Sequence, residues 1–144
     1  MTVPTAYLLA SAATLATRQA DARLRPYEIT LRQLGLLIQV RAEPELTASE
    51  LARQLGVSRQ SVHQLVEELV AAGHLERRPG ASGRSRRLEP TETAGYLVRR
   101  AGEVLDGVDD EVVGGLSAAE VEVLRGLLRR LLAHGTDDES WLDE

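Results

Sequence analysis

Six of the seven residues from Ser58 to Gln64 are polar, in the order Ser-Arg-Gln-Ser-Val-His-Gln. Each polar type suits one task on a nucleic acid. The Arg59 guanidinium is a planar fork that matches O6 and N7 of guanine, and the amide of Gln60 or Gln64 matches N6 and N7 of adenine. The hydroxyls of Ser58 and Ser61 suit phosphate or a base edge, and His63 stands on the same stretch. Just upstream, Thr47 and Ser49 open a helix, and the first amides of a helix favour phosphate. Downstream, Arg84 and Arg86 are two apart, so in a strand they share one side, alternating with Ser85 and Arg87. Arginines on a hairpin tip are drawn to the negative potential of a neighbouring minor groove or backbone. The chemistry of this set is recognition of double-stranded DNA.

Bond-making chemistry lacks its residues. The chain has no Cys, which removes disulfides, thiolate metal sites and thiol redox sensing together. Its histidines, His63, His74 and His134, have no metal-ligand spacing. There is no Gly-rich phosphate loop and no nucleophile–base pattern, and His63 with Glu67 is only an i, i+4 pair on one helix. No catalytic residue, cofactor or metal is expected, and the protein is read as not an enzyme.

A net charge of −5 argues at first against a polyanionic partner. The distribution reverses this. Residues 47–100 hold nine arginines and six acids, net +3, while residues 101–144 hold three arginines and twelve acids, net −9. The basic middle coincides with the polar heptad. No apolar run approaches the roughly 20 residues of a membrane span, and the N-terminus lacks the basic region of a secretory signal, so a cytoplasmic location without membrane attachment is expected.

The elements that must position these side chains are legible from caps and apolar spacing. With no Phe, three Tyr and one Trp, the core must come from Leu, Val and Ala, which favours packed helices. An Ala-rich helix is expected over 5–23, with Leu8, Ala12, Leu15 and Ala16 on one side, interrupted at Arg25-Pro26-Tyr27. A second covers 30–41, opened by a Thr30/Gln33 capping box, with Leu34, Leu37 and Ile38 inward. Thr47 and Glu50 form another capping box on a short helix closed by Gly56. The next helix starts at Ser58, carries the stripe Val62, Leu65, Val66, Leu69, Val70, and stops at Gly73. Residues 74–78 and 84–89 read as a hairpin around Pro79–Gly83. A long helix over 91–113 lines up Leu97, Ala101, Val104, Leu105, Val108 and Val112. Ser117 and Glu120 cap a last helix bearing Leu124, Leu127, Leu128, Leu131 and Leu132, and the acidic residues 136–144 read as a disordered or loosely docked tail.

Short helix, tight turn, longer helix, basic hairpin: the fold class is mainly α with a small β-hairpin wing, a winged helix-turn-helix. From residue 31 to 132 the chain resembles the MarR-type transcriptional regulators. The stretches that carry the resemblance are Leu-Thr-Ala-Ser-Glu-Leu-Ala-Arg-Gln-Leu-Gly ending at Gly56, Val-Ser-Arg-Gln-Ser-Val-His-Gln-Leu-Val ending at Val66, and Leu-Val-Ala-Ala-Gly-His-Leu-Glu-Arg ending at Arg77. Leu-Ser-Ala-Ala-Glu ending at Glu120 also looks like the start of the family's last helix. Two departures stand out. The wing Asp-x-Arg is replaced by Ser82-Gly83-Arg84, and the Leu-Thr that opens the long helix by Pro90-Thr91.

The resemblance implies a homodimer formed by an N-terminal helix in residues 1–30 and C-terminal helices in 92–135, flanking a DNA-binding lobe over 31–91, with the acidic tail at 136–144. It implies a near-palindromic operator, repression by promoter occupancy, and a small-molecule effector held between the dimer helices and the lobe. Tyr7, Arg25, Tyr27 and His63 are the polar candidates for that effector. The alternative is a winged-helix protein-interaction module without DNA binding, which the −9 C-terminal segment keeps open.

Overall fold

The computed structural model describes residues 2–81 and 86–143, with Arg86 described by its backbone alone. Among the described residues six α-helices and one hairpin follow in the order α1 (Thr5–Leu24), α2 (Leu31–Ala42), α3 (Ala48–Leu55), α4 (Arg59–Ala71), β1 (Leu75–Pro79), β2 (Arg86–Pro90), α5 (Glu92–Val112) and α6 (Ala118–Thr136). Arg25–Tyr27 and Glu139–Leu142 form 3-10 turns. The two strands pair antiparallel, with Leu75 opposite Pro90 and Pro79 opposite Arg86. The fold is the expected winged helix-turn-helix with additional N- and C-terminal helices. No helix among the described residues is long and apolar enough to cross a membrane.

Local chemistry explains the boundaries. The three capping boxes at Thr30/Gln33, Thr47/Glu50 and Ser117/Glu120 are all formed, each satisfying two amides that a helix start leaves unpaired. At α6 the Ser117 hydrogen bonds hold the Glu120 carboxyl below its ordinary range. Pro26 sits in the first positions of the 3-10 turn that separates α1 from α2. Glu28 after it takes φ +55°, and the chain reverses there.

One core unites the lobe. Leu24 and Ile29 join Leu34, Leu36, Leu37 and Val40 of α2, Leu51 and Ala52 of α3, and the α4 stripe Val62, Leu65, Val66, Leu69. Leu75 of β1 and Ala94, Leu97 and Ala101 of α5 complete it. The lobe core therefore draws on residues before 31 and after 91. The α2 expectation is corrected at one place: Ile38 is 46% exposed, and Leu36 and Val40 take the inward positions beside Leu34 and Leu37. An apolar surface on two sides of α2 allowed either choice, and the lobe core sits on the Leu36 side.

Beyond the core, α1 packs along α5, where Ala20 and Val108 are buried. Small Ala residues let the two helices approach closely. The rest of α1 is bare: Tyr7, Leu8 and Leu15 are more than half exposed. So is much of α6, where Val123, Leu127, Leu128, Leu131 and Leu132 are all exposed. Val112, expected on the inner side of α5, is exposed as well, because α5 has by then left the lobe.

Candidate nucleic-acid interface

The site is built by two turns. After α3, Gly56 adopts φ +67°, a left-handed conformation that a side chain would strain. The Val57 amide then reaches back to the Ala52 carbonyl at 3.0 Å, so the chain reverses within two residues. Ser58 immediately caps α4, its Oγ accepting from the Ser61 amide at 3.1 Å and donating to Ser61 Oγ at 3.0 Å. With Val62, Leu65, Val66 and Leu69 locked inward, the opposite side of α4 faces out. Arg59, Gln60, His63 and Gln64 are exposed there, beside exposed Ser58 and half-buried Ser61. Thr47 and Ser49 are exposed at the start of α3.

Their side chains are not equally free. Arg59 and Gln60 have no hydrogen-bond or ionic partner among the described residues. Gln64 donates through Nε2 to Glu68 Oε1 at 3.2 Å, while Glu68 Oε2 accepts from Gln33 Nε2 at 2.8 Å. Gln64 is thereby oriented by the α2–α4 junction and keeps one amide proton and its carbonyl to offer. Thr47 Oγ1 accepts from the Glu50 amide at 3.2 Å, which leaves its hydroxyl proton for a phosphate.

The wing divides by strand alternation. Leu75 and Leu88 face the core, and on that side Arg77 bonds Glu67 of α4. The other side carries Glu76, Arg78, Arg87 and Glu89, with Arg78 opposite Arg87 and Glu76 opposite Glu89. Arg78 bonds Glu76 at 2.6 Å and lies 3.7 Å from Glu89. Arg77 and Arg78 are thus held by their own acids, as surface pairs of small energetic value. Of the expected wing arginines, Arg84 lies outside the described residues and the Arg86 side chain is not described. Arg87 was not singled out as a contact residue. It is exposed, and it lies one pair from the Pro79–Arg86 end of the ladder, far from the base of the wing, opposite an arginine whose charge is already compensated.

Thr91 was also undervalued by sequence reasoning. Its hydroxyl donates to the Gly73 carbonyl at 2.8 Å and accepts from the Ala94 amide at 3.3 Å, and its own amide donates to the His74 carbonyl at 3.1 Å. One residue ties the end of α4, the base of the wing and the start of α5. Gly73 makes this possible with φ +80°. Thr91→Ala is expected to lose about 1 kcal/mol of stability as a lost cap, lowering the melting temperature by roughly 3–5 °C in a thermal scan.

The effector candidates are dispersed within one chain. Tyr7 and Tyr27 lie at opposite ends of α1, roughly 25 Å apart along its axis at 1.5 Å per residue. Arg25 and Tyr27 share the 3-10 turn, and His63 faces out from α4. Tyr27 packs against the lobe core near Arg100, whose guanidinium is pushed above its ordinary value by Glu103 first and then by Tyr27 and Tyr96. Among the described residues no group of three or more His, Asp or Glu is placed to hold a metal ion.

Comparison with known proteins agrees with this architecture. Residues 27–87, the reading lobe, match the MarR family model. A MarR family protein of Mycobacterium tuberculosis, solved in complex with p-aminosalicylic acid, is 27% identical with a TM-score of 0.76, covering 90% of this chain and 98% of that one. The same protein solved in complex with DNA gives 26% identity and a TM-score of 0.72, again over 90% and 98%. Wild-type MarR from Escherichia coli shares the fold, at 24% identity and TM-score 0.79 over 92% of this chain and 99% of its own. With a family model matching residues 27–87 and structures of the family matching nine-tenths of its length, the chain is similar in sequence and fold to the MarR-type winged-helix regulators.

Proposed function

We propose that the protein is a dimeric, sequence-specific DNA-binding repressor. The observation that carries DNA reading is the outward face of α4, where Arg59 and Gln60 have no partner among the described residues and stand at the N-terminal end of a helix clamped by four buried apolar residues. A helix offered in this way enters a major groove with its first turns at the base edges. Arg59 takes a guanine, Gln60 or the oriented Gln64 an adenine, and Ser58, Ser61 and His63 flank them. Thr47 and Ser49 with the α3 amides take the adjoining phosphates, and Arg84, Arg86 and Arg87 take the backbone or minor groove beside the wing. The DNA complex of the M. tuberculosis relative supports this reading.

The dimer reading rests on apolar surface. Within its own chain α6 packs mainly on the C-terminal 3-10 turn, leaving a leucine-rich face uncovered, and α1 leaves Leu8 and Leu15 uncovered. Monomeric proteins seldom leave so much contiguous apolar surface in water. A second copy covers both faces, with residues 1–30 and 92–135 as the association helices around the 31–91 lobe. Two-fold symmetry then asks for two half-sites about 10 base pairs apart in a near-palindromic operator. Occupancy of a promoter represses, and an effector that prefers a different lobe spacing releases the DNA by population shift. The salicylic and p-aminosalicylic acid complexes of the M. tuberculosis relative support an aromatic acid as the effector class. A site joining Tyr27 and Arg25 to Tyr7 needs residues from both copies.

Titration of the protein against its own promoter fragment at several salt concentrations tests the DNA claim. Counterion release predicts a slope of log affinity on log salt of about −0.9 for each phosphate neutralised. Binding that is absent, or indifferent to salt, would leave the interaction-module reading instead.

A further inference from the structure

The C-terminal segment does not trail away from the fold. At the end of α6 the buried Thr136 donates its hydroxyl to the Leu132 carbonyl at 2.6 Å, and Asp137 takes φ +52°, which reverses the chain. Asp138 then faces α3. One carboxylate oxygen accepts from Gln54 Nε2 at 2.7 Å, and the other accepts from the Ser140 amide at 3.0 Å and so caps the following turn. The Ser140 side chain first, then Gln54 and the Ser140 amide, with Arg53 nearby, hold the Asp138 carboxyl below its ordinary value. Trp141, the chain's single tryptophan, forms part of the wall of a cleft of about 710 Å³ between α2 and α6, lined also by Gly35, Ile38, Leu128 and Leu132. Its indole nitrogen is covered. Of the two alternatives expected for the tail, disordered or loosely docked, the second describes residues 137–143: five acids made the segment look solvated, but Asp138 and Trp141 each meet a surface that exists only once α2, α3 and α6 are assembled.

We propose that residues 136–143 form a clasp that joins α6 to the positioning helix α3 and sets the angle of the reading lobe against α6. The placement makes this the natural lever. α6 has little other contact with its own lobe, and α3 is the helix that sets the entry of α4 into the groove. The clasp is also weak by construction. Among the described residues its link to α3 is the Asp138–Gln54 hydrogen bond, and its ring is only partly buried beside an open cleft, so it opens locally without unfolding the core. If the chain acts as the proposed DNA-binding dimer, opening the clasp loosens the spacing of its two reading heads. The clasp itself does not depend on that reading.

The absence of Cys and the single Trp make the test direct. Cysteines introduced by Ala71→Cys on α4 and Glu122→Cys on α6 carry a pair of nitroxide labels. The labelled chain is diluted into an excess of unlabelled protein, so that only the distance within one chain is read. A narrow distance distribution is expected with the tail intact. A shift or clear broadening is expected after Trp141→Ala and after deletion of residues 137–144, with circular dichroism unchanged. Gln54→Ala, which keeps the tail and removes one bond, is expected to move the Trp141 emission toward that of solvated indole and to increase its quenching by acrylamide. An unchanged distance distribution in both tail variants overturns the proposal, as does Trp141 emission that is already that of solvated indole in the unmodified protein. Neither readout uses DNA, so failure of the clasp and failure of the DNA-binding reading are separable.

Discussion

Replacing Leu127 and Leu131 by aspartate is expected to yield a folded monomer with little remaining affinity for operator DNA. Both leucines lie on the uncovered face of α6 and are 49% and 50% exposed in the single chain, so neither supports the lobe core. Covering a half-exposed leucine contributes roughly half of the ~1.5–3 kcal/mol assigned to burying one completely. A two-fold interface counts each position twice. Aspartate removes that gain and places carboxylates where water is excluded, so the penalty exceeds the lost burial. A monomer contacts one half-site and loses the effective concentration that linkage supplies, a factor of about 10² to 10⁴. Light scattering on a sizing column reports the mass, and circular dichroism shows the lobe intact. A double variant that remains dimeric would move the interface elsewhere, with the bare α1 face as the next place to look.

Arg59→Ala should weaken binding to the preferred operator by about 5- to 150-fold per half-site, the worth of a bidentate guanine contact at about 1–3 kcal/mol. It should also flatten the preference at a single base position in each half-site. Arg77→Ala is the contrasting case. Arg77 is equally cationic and close by, but Glu67 already holds it, and its loss should change affinity only slightly. Selection from random duplexes with each variant gives both readouts together. Equal losses for the two variants, with no change in base preference, would mean that charge alone drives binding and that α4 does not read bases.

Much of the fold was written in short-range chemistry. The capping boxes at Thr30, Thr47 and Ser117 and the left-handed glycines Gly56 and Gly73 depend on residues within one turn of each other. The stripe Val62, Leu65, Val66, Leu69 is a periodicity that only a helix satisfies, and it also decides which side of α4 faces water. The exposed polar set was therefore legible with the helix. Which members of it are free was not. Gln64 is tied through Glu68 to Gln33, a residue 31 positions earlier in the chain, and no local pattern announces that.

Helix α4 with its polar face, the turn before it and the hairpin after it were determined by the sequence alone, because each rests on spacing, caps and glycine conformation. The tertiary structure decided the rest. It set Ile38 outside and Leu36 inside, since a helix with apolar residues on two sides is oriented only by its neighbours. It made Thr91 the knot between α4, the wing and α5. It turned an acidic tail into a docked segment, because the surfaces that receive Asp138 and Trp141 come from helices far apart in the chain and exist only after they pack.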